Sequence, residues 1–154
     1  MSVAVRRSWR SLVAGVALVL LACLSGCGQD RIDAYCSDLS SHRKQIASML
    51  DSTSPDALLA RRDVLKDLAE KSPSDLQDEW QTFLDAVDDL RAALRHAGVK
   101  ASQFTAGKPP AGLSAADEKA IVEAANQLSS DDVVAAATGI SQEATDVCKI
   151  NLGL

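Results

Sequence analysis

Aromatic side chains are scarce: two Trp, one Tyr and two Phe in 154 residues. That is poor material for the stacking platforms that grip bases or sugar rings. Histidine is scarcer still, with only His42 and His96, so a zinc site lacks ligands. No glycine-rich phosphate loop, HExxH or GxSxG pattern occurs anywhere in the chain, and these absences remove the usual signatures of nucleotide, metalloprotease and serine-hydrolase chemistry. Alternating β-branched runs and hairpin dipeptides between them are also missing, which excludes a sheet protein. Internal repeats and low-complexity blocks are absent.

The N-terminal stretch is the first informative feature. Arg6, Arg7 and Arg10 precede an apolar run, SLVAGVALVLLA, from Ser11 to Ala22, and no acid interrupts either. This is the layout of an export signal. Leu24-Ser25-Gly26-Cys27 follow directly and resemble the lipobox read by the lipoprotein signal peptidase. The resemblance implies cleavage between Gly26 and Cys27 and a diacylglycerol thioether on Cys27. The mature chain would then be lipid-anchored on the extracytoplasmic face of the cell membrane. Three other readings stay open at this point. Ser11 to Gly28 is uncharged and close to the minimum spanning length of roughly 18 residues, although its last residues are small and weakly apolar. A cut before Cys23 is possible in principle, but Gly and Ser at the positions before Cys27 fit better. The twin arginines point to the export route for folded proteins, against which Arg10 breaks the apolar pattern.

Processing alters the charge and the cysteine count. Loss of residues 1–26 removes three arginines and no acid, leaving 13 basic groups against 21 acidic ones and a formal charge of −8. Such a body is repelled by phosphate backbones and anionic headgroups, so no nucleic-acid partner is expected. Cys23 leaves with the signal and Cys27 is acylated. Cys36 and Cys148 remain, and two cysteines in an exported domain pair as a disulfide.

The mature chain, about 128 residues, suits one domain with its own core. We expect a short tether over 27–30 and a helical domain over 31–154. Apolar residues recur at three- and four-residue spacing in Ile32, Tyr35, Cys36, Leu39, Ile46, Met49 and Leu50. Ser54-Pro55 opens a second helix running to about Lys71, with Leu58, Val64, Leu65 and Leu68 inward. Ser72-Pro73-Ser74-Asp75 starts a third, with Asp75 completing a capping box. Its stripe is Leu76, Trp80, Phe83, Leu84, Val87, Leu90 and Leu94, and Gly98 stops it. Ser114 opens a fourth helix carrying Ile121, Ala125 and Leu128. Ser130 caps a fifth, with Val133, Val134, Ala137, Ile140, Ala144, Val147 and Cys148 inward. Short connections imply antiparallel neighbours. The expected fold is therefore all-α: an up-and-down bundle of four to five helices, closed by a Cys36–Cys148 bridge between the first and last.

Several patterns together resemble a group of small all-helical actinobacterial lipoproteins: the lipobox, Tyr35-Cys36, SDLQDEW from Ser74 to Trp80, Ala97-Gly98-Val99 and Asp146-Val147-Cys148. The likeness spans nearly the whole chain. That group carries no assigned activity, so it supports the architecture and implies no reaction.

Candidate sites are few. Asp85, Asp88 and Asp89 share a helical face, which reads as a solvated surface because calcium usually wants a turn that supplies carbonyls. Asp131 and Asp132 are acids in a helix's first turn. His96 reads as a dipole partner at a helix end, and His42 as part of a polar face with Arg43 and Lys44. Trp80 lies mid-stripe and reads as core. Val99 to Leu113 exceeds the usual helix–helix connection, so Phe104, Lys108, Pro109 and Pro110 form a candidate interaction loop. Its plainer reading is that Phe104 and Leu113 tuck onto the bundle while the rest crosses its end. No cofactor and no metal are expected. The function expected is a lipid-anchored envelope interaction module without catalytic activity, binding an envelope protein or a small ligand. A regulatory or inhibitory lipoprotein acting on an envelope enzyme, and a carboxylate-based hydrolase, are the alternatives.

Overall fold

The computed structural model describes residues 26–50, 55–104 and 108–152. Six helices occur among them: α1 Gly26–Leu50, α2 Pro55–Ala60, α3 Arg62–Lys71, α4 Gln77–Ala97, α5 Ala115–Leu128 and α6 Asp131–Asp146. Short 3-10 turns occupy Ser74–Leu76 and Ala101–Gln103. No strand is present among the described residues beyond a single bridge position at Lys108. The apolar run 11–22 of the expected signal lies outside the described residues.

The helices form four columns. α1 runs away from the end that holds the disulfide, and α2 followed by α3 returns to it. α4 runs out again, and α5 followed by α6 returns. Direction follows from the pairings. Trp80 Nε1 donates to the Tyr35 hydroxyl at 3.2 Å, so α1 and α4 begin at the same end. His96 at the end of α4 meets Asp117 at the start of α5, while the Gly139 backbone sits against Glu79 in the first turn of α4. The bundle is thus up-and-down, as the sequence led us to expect. Its last two helices, however, are not antiparallel neighbours: α5 covers the far half of α4 and α6 covers the near half. The two-residue link Ser129–Ser130 carries the chain onward down the column instead of reversing it.

Three local expectations need correction. The helix expected from Ser54 to Lys71 breaks at Arg61, whose φ of −100° and ψ of 3° leave the helical region. The break lets neighbouring leucines serve different clusters, Leu58 the one that holds Ile46 and Met49 of α1 and Leu59 the one that holds Leu90 and Ile121. Ser54 lies outside the described residues. The capping box at Asp75 does not form, and α4 is entered through the 3-10 turn without a side-chain cap. Ser72 is consumed by the preceding helix: its hydroxyl donates to the Ala69 carbonyl at 2.7 Å and its own carbonyl accepts from Arg31 Nε at 2.8 Å. Finally, Val134 and Val147 lie outside the core, at 56% and 41% exposure. The buried stripe of α6 runs through Val133, Ala136, Ile140 and Ala144, and Val134 falls about 100° away from Val133 on the wheel. By the same turn of register, α5 packs Ala124 and leaves Ala125 exposed.

Other terminal signals act as read. Gly98 takes a left-handed φ of 68°, its amide bonding the Arg95 carbonyl while the Val99 amide reaches Leu94. This is a Schellman stop, and only a residue free of Cβ strain adopts it cheaply. Ser114 accepts from the Asp117 amide and Ser130 from the Val133 amide. Residues 27–30, expected as a tether, are helical and belong to the start of α1.

Candidate functional site

The near end of the bundle is the most constrained region. Cys36 is bonded to Cys148, two residues beyond α6, with Cα atoms 5.1 Å apart. Tyr35 is fully buried beside it. Burial pushes its phenol up to about 12; the Trp80 hydrogen bond works against this and the charge of Glu143 with it. Trp80 packs edge-on to Phe83 with centroids 6.5 Å apart, so core packing accounts for both rings. After α6, Lys149 adopts a left-handed φ of 58°. The Ile150 amide then bonds the Ala144 carbonyl at 2.8 Å, and Ile150 and Leu152 fold back onto the core.

Acids gather where α4 starts and α6 ends. The Glu143 carboxyl is held above its ordinary range by burial, then by the charges of Asp75 and Asp146. Glu79 presses its side chain on Gly139, with Cγ 3.3 Å from where a Cβ would stand, and one of its carboxylate oxygens is buried without a hydrogen-bond partner. Among the described residues no group of three or more His, Cys, Asp or Glu is arranged to hold a metal ion.

The Asp85, Asp88 and Asp89 face resolves into separate fates. Arg62 grips Asp88 with two bonds, Nε to Oδ1 at 2.7 Å and a terminal nitrogen to Oδ2 at 2.5 Å. This fork lowers the Asp88 pKa and ties the start of α3 to α4. Asp85 and Asp89 are exposed. Lys71 pairs with Asp38 through a single contact to one carboxylate oxygen, joining the end of α3 to α1.

His42 sits differently from expectation, while His96 lies in the last turn of α4 as expected. His42 belongs to the inner stripe of α1, in register between Leu39 and Ile46, and is only half-buried. Its Nδ1 is buried without a partner. The sequence placed it with Arg43 and Lys44, but the 35, 39, 42, 46, 49 spacing assigns it inward. His96 does find an acid: Nδ1 is 3.1 Å from Asp117 Oδ1, and the Ser114 hydroxyl donates to the other oxygen at 2.6 Å. The Ser114 bond, then His96, lowers the Asp117 pKa. Serine here binds the carboxylate and caps α5, so the trio clips two helix ends together and presents no activated hydroxyl to the imidazole. The sequence separates His96 and Asp117 by the long crossing, which is why their pairing was not legible.

The crossing itself is anchored at several points. Ala101 is buried, and Phe104 and Leu113 pack onto the far core beside Leu90, Leu94 and Ile121. The Ser102 amide donates to Asp56 of α2 at 3.1 Å. Lys108 is exposed, while Pro109 and Pro110 are half-buried. Residues 105–107 lie outside the described residues. Of the candidate loop residues, Lys108 is therefore free to meet a partner and Phe104 is committed mainly to packing.

On the outer face of α6, Thr138, Ser141, Gln142, Thr145 and Asp146 line a shallow depression of about 320 Å³. Its two threonine hydroxyls donate to backbone carbonyls of the preceding turn, leaving little polarity aimed at a ligand. No helix among the described residues is long and apolar enough to cross a membrane. No protein-family model matches the chain, and no curated protein or solved structure matches it.

Proposed function

We propose that this protein is a lipid-anchored, extracytoplasmic interaction module that binds an envelope partner and performs no chemistry of its own. The observation that carries the reading is the Cys36–Cys148 bridge between the two ends of the domain. Disulfides persist in oxidising compartments outside the cytoplasm, and that is where the Leu24-to-Cys27 lipobox would deliver the chain. Support for a binding role comes from the chemistry of the described residues. Among them, the carboxylates of Asp88 and Asp117 are taken up by a clasp and a cap. Among the described residues no nucleophile lies within reach of a base that a third group orients.

The surface we assign to the partner is the far end of the bundle, where Lys108 projects beside the half-buried Pro109 and Pro110. The test uses membranes from cells making the wild type, Cys27→Ala or Lys108→Glu. Cys27→Ala should remain an uncleaved precursor without acyl mass. Lys108→Glu should be acylated and folded, yet lose the crosslinked partners that the wild type recovers. Full-length, unmodified wild type in membranes would defeat the anchor. Partners unchanged by Lys108→Glu would defeat the surface. Phe104→Ala is informative only alongside a stability measurement, because that ring packs on the core.

A further inference from the structure

The start of α1 carries an orientation. Cys27 stands in the first turn of that helix. Arg31, one turn later, donates to the Ser72 carbonyl at 2.8 Å and so ties α1 to the link between α3 and α4. Tyr35 is buried under Trp80 of α4, and Cys36 is covalently joined to the segment after α6. At a rise of about 1.5 Å per residue, all of these ties fall within about 14 Å of Cys27. The anchoring position is thus joined to the rigid body through helix, with the first tie one turn away.

We propose that the domain stands on the membrane by its disulfide end, with α1 as a rigid post, facing an anionic bilayer. This rests on the acylation of Cys27 proposed above. The surface nearest the lipid comprises the start of α1, the turn at 72–75 and the segment after α6. Its exposed charges, with those of the residues bordering it, are Asp30, Asp33, Asp75, Asp78 and Asp146 against Arg31, Lys71 and Lys149. Headgroups of the same sign do not draw such a surface in, so the posture comes from the covalent post. α4 starts at this end and spans 21 residues, so its far terminus stands about 30 Å further from the bilayer. Lys108 and Pro109–Pro110 are thereby held outward, away from the lipid. The competing posture lays the domain down on the exposed Arg43 and Lys44 of α1.

The experiment uses the full acylated protein in vesicles of phosphatidylethanolamine and phosphatidylglycerol, with an acceptor dye on the headgroups. A donor is attached at Ser74→Cys or at Lys108→Cys, both exposed positions. Energy transfer should be strong from 74 and weak from 108. A flexible Gly-Ser insertion after Gly28 should erase most of that difference. Equal transfer from the two positions on acylated, uninserted protein overturns the posture and leaves the anchor standing. Intact mass is measured on the same sample, and vesicle-bound protein lacking acyl mass overturns the anchor and the posture with it.

Discussion

The near and far halves of this bundle share four columns but are held by different means. Near the disulfide, Tyr35, Leu39, Leu65, Leu68, Trp80, Ile140 and Ala144 close around one another with a covalent bridge at the rim. Toward the far end the buried set among the described residues is Ile46 and Met49 of α1 with Leu90, Leu94, Ala101 and Ile121, joined by the His96–Asp117 pair and the Ser114 cap. α5 contributes a single fully buried side chain, Ile121, to its column. Burial of a large apolar side chain stabilises by about 1.5–3 kcal/mol, and the near half adds the disulfide to its buried Tyr35 and Trp80, so it is the more tightly held. The far half is the part that can loosen without loss of the fold. A binding surface proposed there would adapt to a partner, while the half proposed to face the lipid would stay fixed.

The largest expected effect comes from cutting the bridge. Cys36 and Cys148 are 112 residues apart, and in the chain-entropy model a loop of that size is worth about 4–5 kcal/mol. Cys36→Ser with Cys148→Ser should lower the urea midpoint steeply, with Trp80 fluorescence as the probe. A loss under about 1 kcal/mol would mean that packing alone holds the near half, and the contrast between the halves would weaken.

Next come paired deletions, one in each core. Leu68→Ala, in the near half and fully buried, should cost about 3–5 kcal/mol and act on the whole transition. Ile121→Ala should cost less, about 2–3 kcal/mol, because a helix with one buried anchor can shift to fill the gap. Hydrogen exchange sharpens the comparison. Amides of α5 should exchange through local opening while those of α1 and the first half of α4 require global unfolding. Identical protection in α5 and α1 would break it.

How much of this was legible in the sequence follows from the range of the forces involved. α4 could be read because its apolar stripe, His96 near its end and Gly98 agree within one helix. The cysteine pairing could be read because, once Cys23 and Cys27 were set aside with the expected signal and lipobox, the count left one choice. The Ser114 and Ser130 caps are local and were found. What failed depended on neighbours distant in sequence. Ser72 looked like the start of a helix, but the Arg31 guanidinium and Ala69 carbonyl claim it. The split at Arg61 answers to two cores that exist only after folding. His42 was grouped with adjacent charges, although its register was inward. Placing α5 and α6 end to end required knowing how long α4 is relative to both.

A smaller effect is expected where the two halves meet. Asp88→Ala removes the fork that joins α3 to α4. With the carboxylate partly exposed, the loss should be about 0.5–1 kcal/mol. Because folding lowers the Asp88 pKa, its contribution is present above the ordinary carboxylate range and disappears as pH falls through the folded value. Wild type and Asp88→Ala should therefore converge in stability at low pH, as followed by thermal melts. A gap that persists there would assign the loss to packing of the Arg62 stem instead of the ion pair.

The smallest effect tests whether the near half, though rigid, carries a built-in strain. Folding raises the Glu143 pKa through burial and the charges of Asp75 and Asp146. The group also lies in the last turn of α6, where the helix dipole disfavours a negative charge. A raised acid means that the folded state binds the proton more tightly, so stability falls as pH rises from the unfolded value through the folded one. Glu143→Gln keeps the shape and removes the charge. It should match the wild type below the ordinary carboxylate range and exceed it at neutral pH, by a few tenths of a kcal/mol given partial exposure. Thermal melts of both proteins across that range decide the matter: a gain that is the same at every pH would come from packing, and a loss at neutral pH would mean that Glu143 has a favourable partner that outweighs its acidic neighbours.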